Sequence, residues 1–242
     1  MFLASGINID NIIGFRIPGE FISALIVILI VIILSLIIGF KAKRADPLKK
    51  PKGILNIAEI LVSFVDDQVL KLMGSKFKNF GGYVLGLGLF IMFGFIIGLL
   101  GFPNPFTYLG ITLAIALCTL GAIHITSMRF KHLSYFKRYV EPLPFFLPIN
   151  LVSMWAPVFS LSFRLFGNAL AGYCIVTICY LAFSIPDSFS FGFVVTPLLH
   201  AYFDIFDGLI QMAVFTMLTM VNVAQEAPES EEDSKLLTEQ LA

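Results

Sequence analysis

Arg164 is the single charge between Leu143 and Ser184. A guanidinium stays protonated under nearly any condition, so holding one at the centre of a membrane helix costs ~2.5–3.5 kcal/mol on insertion scales. It must face a partner, water or a protein interface. Ser160, Arg164 and Asn168 recur at steps of four and form one polar stripe on a helix. Gly167, Ala169, Ala171 and Gly172 keep the surrounding surface shallow, which permits close approach of another helix. The stripe is either a packing motif within the chain or a groove along which something moves past a fixed positive charge.

Asp204, Asp207 and Gln211, at spacings of three and four, make a second polar face on a later apolar run, with Asn222 further along. Carboxyls and an amide at membrane depth suit a hydrated path for proton relay. A plainer reading has one Asp neutralising Arg164 and the other near the outer interface. His200, four residues before Asp204, and His124, near the end of a crossing, could extend such a path, although packing roles are the simpler reading; His132 sits in a basic loop. Asp204-Ile205-Phe206-Asp207-Gly208 resembles the opening of the metal-binding motif of membrane phospholipid-synthesising phosphotransferases. The further aspartates which that chemistry needs do not follow. Cys118, Cys174 and Cys179 lie in apolar stretches without a completing ligand set and read as packing residues.

The elements that hold these groups must be membrane helices. Of 242 residues, 58% are hydrophobic and 13% charged, and the mean hydropathy is +0.91; a soluble chain has roughly a quarter of its residues charged. Uncharged stretches of ~20 residues, enough to cross a ~30 Å hydrocarbon core, recur along the chain. The fold expected is an all-α polytopic membrane protein with about five transmembrane helices and one interfacial amphipathic helix.

Residues 1–20 form an outward-facing N-terminal segment, and the run 21–40 is the first crossing, retained rather than cleaved as a signal peptide. Residues 41–80 follow as a basic linker and an amphipathic helix. In 54–73, Asn56, Glu59, Ser63, Asp66, Asp67 and Lys71 recur at steps of three and four, while Ile54, Ile57, Leu61, Phe64 and Leu72 mark the other face. The segment is too charged to cross and suits the membrane interface. Residues 81–128 form a hairpin turning at Pro103-Asn104-Pro105, and 129–142 a second basic loop. Residues 143–224 form a helix pair, the first member long enough (42 uncharged or nearly uncharged residues, ~60 Å if helical) to be strongly inclined or to cross twice. Residues 225–242 are an acidic tail, solvated over 226–233, with a short terminal turn over 236–241.

Charge sets the orientation. Thirteen of the sixteen bases lie in 41–80 and 129–142, and basic loops face the cytoplasm. Five crossings place the N-terminus outside and the tail within.

Phe163-Arg164-Leu165-Phe166-Gly167-Asn168-Ala169-Leu170-Ala171-Gly172-Tyr173 resembles the signature of subunit a of the F-type ATP synthase. Residues 207–221 are similar to the family's last helix, with its Gln. Residues 105–117 resemble the preceding hairpin, and 142–168 the approach to the arginine. The resemblance covers about residues 80 to 224. It implies the inclined helix pair, Arg164 as the arginine facing a ring of c subunits, Asn168 one turn on, Gln211 as the glutamine of the last helix, and Asp204 at a position often His or Glu. Ser160, Arg164, Gly167, Asn168 and Ala171 would then face the ring. Tyr173 and Asn150 stand where acids are common in the family, so the ion path would rest on Asp204, Asp207 and His200.

The function implied is that of a stationary, non-catalytic, ion-conducting subunit. Two half-channels separated by Arg164 would couple proton flow to ring rotation and to ATP synthesis or hydrolysis. The implied partners are the c-subunit ring, the b-subunit peripheral stalk, the remaining ATP synthase subunits and membrane lipid, with no cofactor, metal or nucleic acid. The implied place is a bacterial-type cell membrane. The ion's ligands would lie mainly on the ring, so proton and sodium both stay open, as does the direction of use. An unrelated ion transporter accounts for the apolarity but not for two spaced signatures.

Overall fold

The computed structural model describes residues 18–44, 53–131, 147–183 and 189–226. The N-terminal segment, most of the first basic linker, the second basic loop and the acidic tail beyond Glu226 fall outside the described residues. All regular structure among the described residues is helical: α1 (Gly19–Arg44), α2 (Ile54–Met73), α3 (Gly81–Ile96), α4 (Leu109–Lys131), α5 (Leu147–Phe183), α6 (Phe189–His200) and α7 (Gly208–Ala224). Alpha-helix closes every backbone hydrogen bond within its own segment, which suits a bilayer interior that offers none.

Among the described residues, five helical segments are long and apolar enough to cross a membrane: Gly19–Arg44, Ser75–Leu100, Leu109–Phe130, Val152–Ala182 and Val195–Ala224. The multi-pass, all-α expectation is met. The long apolar run over 143–184 yields one 37-residue helix, α5, ~55 Å long, rather than two crossings. The first crossing reaches four residues beyond Phe40, so that Lys41, Lys43 and Arg44 close its last turn, where cations meet the negative end of the helix dipole.

The glycines and prolines mark the breaks. Gly74 ends α2 at φ 82, with its N–H donating to the Leu70 carbonyl at 3.1 Å. Gly101, at φ 84, closes the 3₁₀ turn Ile97–Leu100 that follows α3. These left-handed conformations suit glycine. The hairpin turn expected at Pro103-Asn104-Pro105 is built on Asn104, whose side chain accepts a hydrogen bond from the Phe106 N–H at 2.9 Å.

Packing divides the chain into two compact units, residues 1–37, 86–115 and 161–215, and residues 38–85, 116–160 and 216–242. In the first, Phe95 and Phe106 are fully buried with ring centroids 5.1 Å apart. Thr112 and Ser162, also buried, share a hydrogen bond of 3.2 Å between α4 and α5. Leu161, Ser162, Leu165, Ala169 and Gly172 form the buried stripe of α5.

In the second unit, Val69, Met73, Phe77, Val84, Ile123, Met220 and Val223 form the core. The amphipathic helix α2 enters it through Val69 and Met73, with Val65 packed alongside. Its Ile57, Leu61 and Phe64 remain exposed. Most of the apolar face marked by the sequence thus stays exposed, with only its Leu72 packed against the core, and a second apolar edge makes most of the protein contact.

Candidate functional site

The site of interest lies in the first unit, where α5 meets the last crossing. Between α6 and α7 the backbone runs as a π-helical turn, Ala201–Asp207, which carries both carboxylates. π turns inside helices occur frequently at functional positions. His200 precedes this turn and Gln211 follows it.

Three glycines let the helices come close. A Cβ added at Gly172 would stand 3.0 Å from the Phe203 ring, and one at Gly208 would stand 2.7 Å from the Phe95 Cβ. Gly98 likewise lies directly against the Asp204 carboxylate, where a Cβ would be 3.3 Å from Oδ1. Close crossings made by small residues are the usual device where lipid gives helices no hydrophobic drive to associate.

Within this framework Asn168 donates from its amide nitrogen to Asp207 Oδ1 at 2.7 Å. Gln211, 7% exposed, brings a second amide to the same carboxylate. Asp204 is held otherwise: its Oδ2 lies 2.7 Å from His200 Nδ1, and His200 Nε2 lies 2.9 Å from the Tyr180 hydroxyl. With a neutral imidazole protonated at Nδ1, Tyr180 donates to His200 and His200 donates to Asp204, so both bonds run in one direction. A proton placed on Asp204 lets the carboxyl donate to Nδ1 while Nε2, now protonated, donates to the Tyr180 oxygen, so the chain reverses as proton hopping requires.

A cavity of about 550 Å³ adjoins these groups, with Glu20, Asn104, Tyr173, His200, Asp204 and Asp207 among its lining residues. This volume exceeds by far what one water needs. The polar groups set in its otherwise largely apolar wall let water sit beside two carboxylates.

Arg164 is on a different face of α5. Together with Ser160, Gly167 and Ala171 it is exposed, and a Cβ at Gly167 would meet nothing within 4 Å. Among the described residues the guanidinium makes no ion pair. Among the described residues neither aspartate of the last crossing neutralises Arg164, as the plainer reading would have it: Asp204 is bonded to His200 and Asp207 to Asn168. A costly charge has been left on a shallow outer surface, with its potential partners engaged elsewhere.

The family described as ATP synthase A chain matches residues 22–224. The chain belongs to this family. It is 32% identical over 239 residues to ATP synthase subunit a of Mycoplasma pneumoniae, covering 88% of this chain and 81% of that one. It is 34% identical over 218 residues to ATP synthase subunit a of Mycoplasma genitalium, covering 80% and 75%. A sodium ion specific ATP synthase subunit a of Propionigenium modestum is 29% identical over 248 residues, covering 96% and 80%. Membership in the subunit a family makes this chain a multi-pass membrane component of the F-type complex.

Of the residues singled out from the sequence, the structure brings Asn168, Asp207 and Gln211 into one cluster and His200 and Asp204 into the next. Arg164, Ser160, Gly167 and Ala171 form the separate exposed stripe, with Asn168 half-buried at its edge. His124 and Asn222 belong to the other unit, where both line a smaller cavity.

Three groups escaped the sequence reading. Tyr180 looks like an ordinary aromatic near a helix end, and only the fold sets it against His200. Glu20 looks like a flanking charge but lines the cavity. Glu226, assigned to the solvated tail, is 6% exposed and accepts a hydrogen bond from the Ser127 hydroxyl at 3.0 Å. The correction has a simple cause: α7 ends in a turn that carries Glu226 back over the helix end, with its N–H donating to the Val223 carbonyl.

Proposed function

We propose that this chain is the stationary proton-conducting subunit of a rotary ATP synthase. Its exposed Arg164 stripe faces a ring of c subunits, and the b-subunit stalk and remaining subunits hold it in place. The observation that carries the reading is the exposed guanidinium on a shallow stripe, which makes no ion pair among the described residues, beside a cavity whose carboxylates are already bonded to other groups. An acid arriving on the ring would supply the missing negative partner. Opposite charge nearby favours the ionised form of that acid, so a proton arriving with it leaves into the exit path. The same positive charge repels a cation that attempts to cross directly.

Two half-channels then open to opposite sides, and net passage requires the ring to turn. Each charge that moves down 100 mV releases ~2.3 kcal/mol for that rotation. The chain itself performs no covalent chemistry. The cavity with Tyr180, His200 and Asp204 forms the outer half-channel, next to Glu20 at the start of α1, and the basic loops and tail lie in the cytoplasm. Supporting the proton as the ion, a directional series of O–H and N–H bonds carries protons by hopping, whereas sodium needs several oxygen ligands held at once.

The test is passive proton uptake and coupled ATP synthesis in sodium-free vesicles containing the whole complex. Arg164→Ala is expected to abolish coupled synthesis while leaving the ring assembled. Full coupled synthesis in that variant would refute the role given to Arg164, and a strict sodium requirement would refute the choice of ion.

A further inference from the structure

The second unit contains a cavity of about 300 Å³ at the end of the membrane-spanning region where α4 and α7 finish and α5 begins. It is lined by His124 of α4, Asn150, Ser153 and Pro157 of α5, Asn222 of α7, and Glu226 just beyond α7. Three features of this lining point to water and protons.

Glu226 is a carboxylate with 6% of its surface exposed, and a buried carboxylate is retained only where hydrogen bonds and local water compensate it. Ser127 supplies one such bond at 3.0 Å. Pro157 has no N–H, so the Ser153 carbonyl one turn earlier loses its usual helical donor. Both residues line the cavity, and backbone freed in this manner at membrane depth is tolerated where it lines protein or a wet space. His124 is fixed at the wall: Nδ1 donates to the Leu120 carbonyl at 2.8 Å, and Nε2 lies 3.2 Å from Met154 Sδ.

We propose that Glu226 is the proton-relaying carboxylate of the inner half-channel, acting in the wet cavity between α4, α5 and the end of α7. This rests on the half-channel reading above and assigns its inner end. Position 150, where the resemblance puts an acid in other members, is Asn here and lines this cavity. Glu226 reaches the same cavity from the opposite wall. The step is a plain proton transfer. An O–H bond forms at the Glu226 carboxylate as one breaks at a hydronium or cavity water, and the reverse step passes the proton on; no electrons move and no other reactant is consumed.

The experiment uses the complete synthase in proteoliposomes, with its catalytic sector removed for passive proton uptake and present for coupled synthesis. Glu226→Gln preserves size and the capacity to accept from Ser127 but cannot carry a proton. It should lower uptake at least about tenfold, since a positioned acid–base group contributes ~10²–10⁴-fold. The double variant Glu226→Gln with Asn150→Glu returns a carboxylate to the cavity from α5 and should recover uptake. Retained uptake in Glu226→Gln overturns the proposal, and so does a loss that the double variant fails to repair. Should Glu226→Gln not assemble with the ring, the double variant decides: assembly with uptake supports the relay, assembly without uptake overturns it, and failure of both variants to assemble assigns Glu226 a structural role. Arg164→Ala in parallel separates the two readings: if it stays coupled the half-channel scheme fails, whereas if it uncouples while Glu226→Gln conducts fully, only the role of Glu226 fails.

Discussion

Adding one methyl group at each of two glycines separates the packing of this chain from its use. At Gly208 the new Cβ would stand 2.7 Å from the Cβ of Phe95 and 3.0 Å from its Cγ. Ordinary carbon contacts lie at ~3.5–4.0 Å, so the two helices must part by roughly 1 Å. Phe95 cannot swing aside, because its Cβ moves only with the backbone of α3. Such overpacking costs ~1–3 kcal/mol, against ~1 kcal/mol gained when alanine replaces glycine in a helix. At Gly167 nothing lies within 4 Å, so Gly167→Ala keeps the gain and meets no clash within the subunit.

The two variants should therefore differ by about 1–3 kcal/mol in the unfolding of purified subunit in detergent, Gly208→Ala being the weaker. If the stripe faces the ring as proposed, the order should reverse in the assembled complex. A methyl on a face that slides against the ring costs ~1–3 kcal/mol there, which is about fivefold to a hundredfold in ring retention or coupled synthesis. If Gly167→Ala destabilises the isolated subunit as much as Gly208→Ala does, the buried and exposed faces of α5 have been assigned wrongly. If it leaves ring coupling untouched, the stripe does not face the ring.

Two further variants probe the polar cluster. Asn168→Leu removes the 2.7 Å bond to Asp207, worth ~1.5–3 kcal/mol for a charged acceptor, so the unfolding midpoint should fall. A double-mutant cycle with Asp207→Ala, which removes the acceptor, should return a coupling of at least ~0.5 kcal/mol, and additive effects would mean that the bond contributes nothing. Tyr180→Phe deletes only the hydroxyl at 2.9 Å from His200 and should slow proton uptake by up to ~tenfold, the equivalent of one hydrogen bond, with no loss of stability. Unchanged uptake would remove Tyr180 from the outer path.

The crossings were legible because charge is so scarce that its positions alone delimit them, and α2 because its polar residues keep helical spacing. The placement of Arg164, Gly167 and Ala171 on one face likewise follows from steps of three and four on a helix. The π turn at Ala201–Asp207 was not legible. It is a change in backbone hydrogen-bond register and requires no particular residue. Tyr180 and His200 meet through a helix pairing that no spacing encodes. Glu226 was misread for a different reason: its neighbours in sequence are acids and a proline, and composition averages over a residue that the last turn of the chain tucks inward. The exposed Ile57, Leu61 and Phe64 of α2 were identified correctly as apolar, but apolarity alone does not distinguish a face that meets protein from one that meets lipid.

The π turn also gives the last crossing one place where its length can change. An α-helix closes i→i+4 bonds and advances about 100° per residue, whereas a π turn closes i→i+5 bonds, so Ala201–Asp207 holds about one residue more than ordinary winding needs for the same rotation. An in-frame loss of one codon there is a change that the crossing can absorb by returning to ordinary winding, with the helices on either side near their present orientation. The same loss within α7 would turn everything on one side of it by about 100° relative to the other. Substitution is the narrower route in this segment, because Phe203 lies against Gly172 and Asp204 and Asp207 hold the site.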